Sequence, residues 1–137
     1  MFHVGNGKLK PRLRAALGAE GIVFIQEGLH GSIRYDHFKA PGRRHNGKVT
    51  RERIGLAITE ERLAVYCRSG STKLIDQAFS NPRMSVLAAS LKGSDTISIN
   101  IDFDRAGVKN VSGQMTIRAQ TPEAANVVDQ LESRLPR

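Results

Sequence analysis

Six cations fall close together in this chain: Lys39, Arg43, Arg44, Lys48, Arg51 and Arg53. Positions 34–53 hold seven Lys/Arg against two Asp/Glu. A guanidinium fork grips two phosphate oxygens at once, and a lysine adds a compact point charge. Arg51 and Arg53, two apart on a strand, would project from one face. Beside an anionic bilayer such a cluster gains roughly 1 kcal/mol per basic residue. The same charges, joined by Lys8, Lys10, Arg12 and Arg14, could instead track a nucleic-acid backbone. Base stacking would then need exposed aromatics among them, and only Tyr35 and Phe38 lie nearby. No helix-turn-helix, RNP or zinc signature accompanies them, so nucleic acid is the less favoured partner. A third reading is a solvated loop whose charge serves solubility alone.

Residues able to do covalent chemistry are few. Cys67 follows Tyr66 on an apolar run, where a free cysteine packs as a small hydrophobe. His3, His30, His37 and His45 lack the spacing of metal ligands, and one cysteine supplies no second thiolate. Asp102 and Asp104 stand two apart at a strand end, with no basic partner in view for acid–base work. Gly5-x-Gly7 neither follows a strand nor opens a helix, so it is no nucleotide motif. The expectation is a protein that is not an enzyme, with no cofactor and no metal.

The 137 residues suit one domain. Hydrophobic residues make up 39% and aromatics only 5%, so the core must be built from Ile, Leu, Val, Ala and a few Phe. The charge of +8 is lopsided: residues 1–53 carry 11 Lys/Arg against 4 Asp/Glu, and residues 54–137 carry 10 against 9. A basic pole on a near-neutral body favours an anionic partner. A single cysteine, no apolar leader in Met-Phe-His-Val-Gly-Asn-Gly and no membrane-length span give a cytoplasmic expectation, with peripheral attachment at a membrane surface left open.

The elements that must position the cations read mostly as strands. Lys8 to Leu17 suits a short helix closed by Gly18 and Gly21. Ile22–Gln26 suits a strand, with Gly28 and Gly31 breaking it before a second strand at Ser32–Lys39, edge or bent. In that second strand Ile33, Tyr35 and His37 share one face, and Arg34, Asp36 and Phe38 the other. Pro41–Lys48 is a loop whose Asn46-Gly47 pair suits a hairpin turn. Ile54, Leu56 and Ile58, then Leu63, Val65 and Cys67, alternate about the polar turn Thr59–Arg62.

Further strands are expected at Thr72–Phe79, Met84–Leu91 (where Ala88 and Ala89 would also allow helix), Ile97–Phe103 and Gln114–Ala119, with Ser69-Gly70-Ser71 as a turn. Asp102 and Asp104 close the third of these. Thr121 is placed as an N-cap and Pro122 at the first helical position. Ala124, Val127, Val128, Leu131 and Leu135 then form one apolar stripe at helical spacing. Ser32–Lys39 and Thr72–Phe79, weakly patterned, are candidate sheet edges through which copies or peptides could join.

The run Ile54–Tyr66 resembles the apolar strand, Leu/Ile-Thr, acidic turn, Arg-Leu, apolar-Tyr signature of bacterial pleckstrin-homology-like (PH-like) and GRAM-like domains. Lys73-Leu74-Ile75-Asp76 is similar to their next strand. The resemblance covers residues 32–135 and implies a mainly β (α+β) fold. It would be an antiparallel barrel or roll of about seven strands, capped by a C-terminal α-helix. Residues 1–31 form an N-terminal extension, a short helix plus a strand, and 32–137 the barrel. The resemblance implies phosphate or anion binding by Lys39, with Arg51 and Arg53 opening the next strand; Arg43, Arg44 and Lys48 lie between. The expected function is a binding module that associates through residues 39–53 with an anionic membrane surface or a protein partner. The alternative is a self-assembling structural domain, a homo-oligomer with no small ligand.

Overall fold

A computed structural model describes residues 10–67 and 72–136. His3, Gly5, Gly7, Lys8 and the turn at 69–71 lie outside the described residues. The chain runs α1 (Pro11–Ala19), β1 (Ile22–Ala40), β2 (Arg43–His45), β3 (Lys48–Thr59), β4 (Arg62–Cys67) and β5 (Thr72–Ala78). A 3₁₀ turn at Pro82–Val86 leads to β6 (Leu87–Lys92), β7 (Thr96–Asp102), α2 (Phe103–Ala106), β8 (Ser112–Gln120) and α3 (Ala124–Arg134). The fold is mainly β, a curled antiparallel half-barrel with a C-terminal helix, as the alternating pattern predicted.

Seven strands follow the order β5-β4-β3-β1-β8-β7-β6, and β2 pairs only with the end of β1. Both β5 and β6 are sheet edges, so Thr72–Phe79 is an edge as expected. Ser32–Lys39 is not: it lies at the centre of the sheet, paired with β3 on one side and β8 on the other.

The two strands expected at 22–26 and 32–39 are one continuous strand of 19 residues. Its glycines bend it without ending it. Between the pairs Gln26↔Leu56 and Leu29↔Ile54, β1 spends one more residue than β3, a bulge that Gly28 accommodates at φ 68°. Gly31 marks a close approach of backbone from β8. A Cβ there would stand 2.2 Å from the Arg118 carbonyl oxygen and 2.7 Å from Ile54 Cγ1. Only a hydrogen fits where the sheet folds toward a barrel.

Inside the curl, Ile33, Ile54, Leu56, Ile58, Leu63, Val65, Ile97, Ile99 and Ile117 meet the apolar stripe of α3. That stripe comprises Ala124, Val127, Val128, Leu131 and Leu135, the residues expected from their spacing. The helix starts two residues later than the capping pattern suggested. Thr121 Oγ1 still accepts from the Glu123 amide at 3.2 Å, and it donates to Gln26 Oε1, tying the entry of α3 to β1.

A second small core lies on the outer face, where Leu17 of α1 is buried against Ala57 and Ala64, with Leu13, Ile25 and Tyr66 around it. The N-terminal helix thus packs on the sheet, and the central hairpin of β3 and β4 is covered on both sides.

Candidate functional site

The end of the β1–β2 hairpin is built by a second bulge. Between Asp36↔Gln114 and Lys39↔Ser112, β1 again spends one extra residue, and His37 sits there at φ 50°. Gly113 lies against this bulge so closely that a Cβ would be 2.2 Å from the His37 carbonyl oxygen. The His37 amide donates to Asn46 Oδ1 at 3.1 Å, locking the turn.

One extra residue moves every later side chain to the opposite face. Phe38 therefore joins Tyr35 on the inner side, contrary to simple alternation. The two rings lie 5.0 Å apart, His45 stacks on Phe38 at 6.4 Å, and Phe103 meets Phe38 edge-on at 5.6 Å.

Arg43 is held over these rings, 5.6 Å from Tyr35 and 5.5 Å from Phe38. Lys39 and Arg44 are direct cross-strand partners. Two like charges placed opposite one another repel. Neither has an acidic partner among the described residues. They line a groove of about 760 Å³ with Pro41, Gly42 and Asn110–Ser112. Partial desolvation, with the nearby Lys48 and Arg43 charges, holds the His45 imidazole below its ordinary value.

The other predicted cations diverge. Lys48 lies across from Tyr35, and Lys48, Thr50 and the buried Glu52 line the inner mouth of the half-barrel with Lys73, a cavity of about 410 Å³. Arg51 and Arg53 share the opposite, outer face, as residues two apart should. Arg51 is exposed beside Ser32, and Arg53 donates to the Gly28 carbonyl at 3.2 Å.

Seven residues of extended chain separate Ser32 from Lys39, roughly 20 Å. The six cations thus form a hairpin set (Lys39, Arg43, Arg44), of which Arg43 also lines the inner cavity with Lys48, and an outer pair (Arg51, Arg53). Spacing did not reveal Arg118. It pairs with Ser32 from the far side, and Arg51, Arg53 and Arg118 line one groove of about 590 Å³.

The residues weighed for chemistry serve the fold. Cys67 is buried at the end of β4. Asp102 caps the amide of Asp104, whose own Oδ1 accepts from the Gly113 amide at 2.9 Å. Among the described residues no three His, Cys, Asp or Glu side chains converge, and no helix is long and apolar enough to cross a membrane.

A polar network lies under the end of α1. Arg62 bridges Glu20 and Asp76, each at 2.8 Å, and Tyr66 donates to Asp76 at 2.7 Å. Burial and the Asp76 carboxylate push the Tyr66 phenol up to about 12. Burial works against the Arg62 charge, but Asp76 and Glu20 outweigh it and hold the guanidinium charged.

No protein-family model matches the chain, and no curated protein matches it significantly.

Proposed function

We propose that the chain is a PH-like, non-enzymatic binding module that associates with an anionic membrane surface through its basic hairpin end. One observation carries this reading: Lys39 and Arg44 face each other across β1 and β2 without an acidic counterion among the described residues. Folding alone gains nothing from opposing like charges, whereas an anionic surface relieves them. Arg43, stacked on Tyr35 and Phe38, keeps a third charge in a fixed place beside them. The PH-like assignment is supported by the order of the curled strands, the closing helix and the Ile54–Tyr66 signature. A cytoplasmic location belongs to the same proposal.

Sedimentation with phosphatidylserine-containing vesicles tests it. Binding should fall steeply as salt rises, and Lys39→Ala with Arg44→Ala should weaken it at moderate ionic strength. A wild-type chain that stays in the supernatant at moderate salt would end the proposal.

A second reading is self-association, favoured by the open edges at β5 and β6. Size-exclusion chromatography with light scattering would show a dimer or larger species; a strict monomer at high concentration counts against it.

A further inference from the structure

The outer groove brings together cations from strands that are distant in sequence. Ser32 on β1 is the cross-strand partner of Arg51 on β3 and of Arg118 on β8. Residues in one such row project from the same face of a sheet. The two arginines start two strand spacings apart, about 10 Å, with the serine hydroxyl midway. That separation suits two long side chains closing on one small group above Ser32.

Arg53 stands next to Arg51 on this face, steadied by the Gly28 carbonyl, and His30 is its cross-strand partner.

The electrostatics point the same way. Arg51 and Arg118 are both exposed and have no acidic partner among the described residues. Glu52, between the two arginines of β3, also lines this groove; it is buried, and its place in the alternation and in the inner cavity puts its side chain on the opposite face from Arg51. Asp36 is engaged by Arg34, and at the far end of the groove Gln120 donates to Asp95. The groove therefore presents donors and positive charge over Ser32.

We infer that this outer groove binds a phosphomonoester group, clamped between Arg51 and Arg118. Each guanidinium offers two parallel N–H groups to phosphate oxygens, and the Ser32 hydroxyl donates to a third. A monoester suits the site better than a diester because it presents three free oxygens and nearly two negative charges at neutral pH. The ligand is either a soluble phosphorylated small molecule or the monoester of a lipid headgroup. The inference uses neither the hairpin cations nor the membrane reading above, and stands or falls apart from them.

Calorimetric titration of the full chain with inorganic phosphate and with phosphoserine tests the soluble source. Phosphatidylcholine vesicles with and without phosphatidylinositol monophosphate test the lipid source. Arg118→Gln should weaken binding at least about tenfold in whichever arm binds, and Arg118→Lys should recover only part of the loss. Arg34→Gln removes the same charge from the same face but from an existing ion pair, and should leave binding unchanged. Lys39→Ala with Arg44→Ala should leave the soluble-phosphate titration unchanged. Thermal melts of each variant, with and without phosphate, give a second readout independent of heat signals. The inference is overturned if Arg118→Gln binds like the wild type, or if no arm shows Arg118-dependent binding.

Discussion

The α-carbon of Gly31 lies so close to the Arg118 carbonyl that a methyl group there would stand 2.2 Å from its oxygen. The contact is with backbone, so no side chain can swing away to relieve it. Gly31→Ala should therefore destabilise the fold by about 1–3 kcal/mol, measured by urea denaturation. Gly18→Ala is the contrasting case. It lies within α1, where an added methyl would meet nothing within 4 Å, and alanine there should stabilise by about 0.5–1 kcal/mol. Equal effects at the two sites would contradict the close approach.

Arg62 joins three parts of the fold, because its two carboxylate partners come from the end of α1 and from β5. Removing it leaves Glu20 and Asp76 facing each other without a cation. Arg62→Ala should cost about 2 kcal/mol, less than a fully buried pair because the side chains keep some solvent. A double-mutant cycle with Asp76→Asn should give a coupling of about 1 kcal/mol, and additivity would show the bridge to be idle.

The Tyr66 phenol gives a pH signature. Its ordinary value is 10.0, and in the fold it rises to about 12 through burial and the hydrogen bond to Asp76. The folded state thus holds the proton more tightly than the unfolded chain. Its contribution is complete below pH 10 and disappears as pH climbs through about 12. In a Tyr35→Phe background, ultraviolet titration should show one phenolate appearing near the upper limit. Tyr66→Phe should flatten the loss of thermal stability over that alkaline interval.

His45 reports on the hairpin charges. Partial desolvation, then Lys48 and Arg43, hold its imidazole below 6.5, so protonation there disfavours the folded hairpin as pH falls. An anionic surface bound at the hairpin should cancel the cation effect and move His45 upward. Proton NMR of the ring with and without anionic micelles measures this. An unmoved resonance during demonstrated binding would place the bound anion elsewhere.

Much of this architecture was legible in the residues. Ile54, Leu56 and Ile58 against Leu63, Val65 and Cys67 gave the central hairpin, and Val127, Val128 and Leu131 gave the closing helix. The rest depended on facts that pattern does not carry. Gly28 and Gly31 read as breaks because a glycine that bends a strand looks, in sequence, like one that ends it. Phe38 read as sharing a face with Arg34 and Asp36, away from Tyr35, because the bulge at His37 leaves no mark in the alternation.

Met84–Leu91 read as a single strand. Pro82 instead opens a 3₁₀ turn through Val86, and the strand begins at Leu87. Among the cations, the shared face of Arg51 and Arg53 followed from their spacing. Their separation from Lys39 did not, since it depends on how far β1 runs before turning. Arg118 was invisible because only the pairing of β8 with β1 brings it to Ser32.

The second core beneath α1 has its own consequence. Ala57 and Ala64 face each other across β3 and β4, with Leu17 pressed on them, while Leu56 and Val65 point into the main interior. Amide hydrogens on this doubly sheltered hairpin should be the last to exchange with deuterated solvent. Under Leu17 the Ala57 and Ala64 positions also admit only methyl-sized side chains, so any sequence drift that enlarges them must first displace the leading helix.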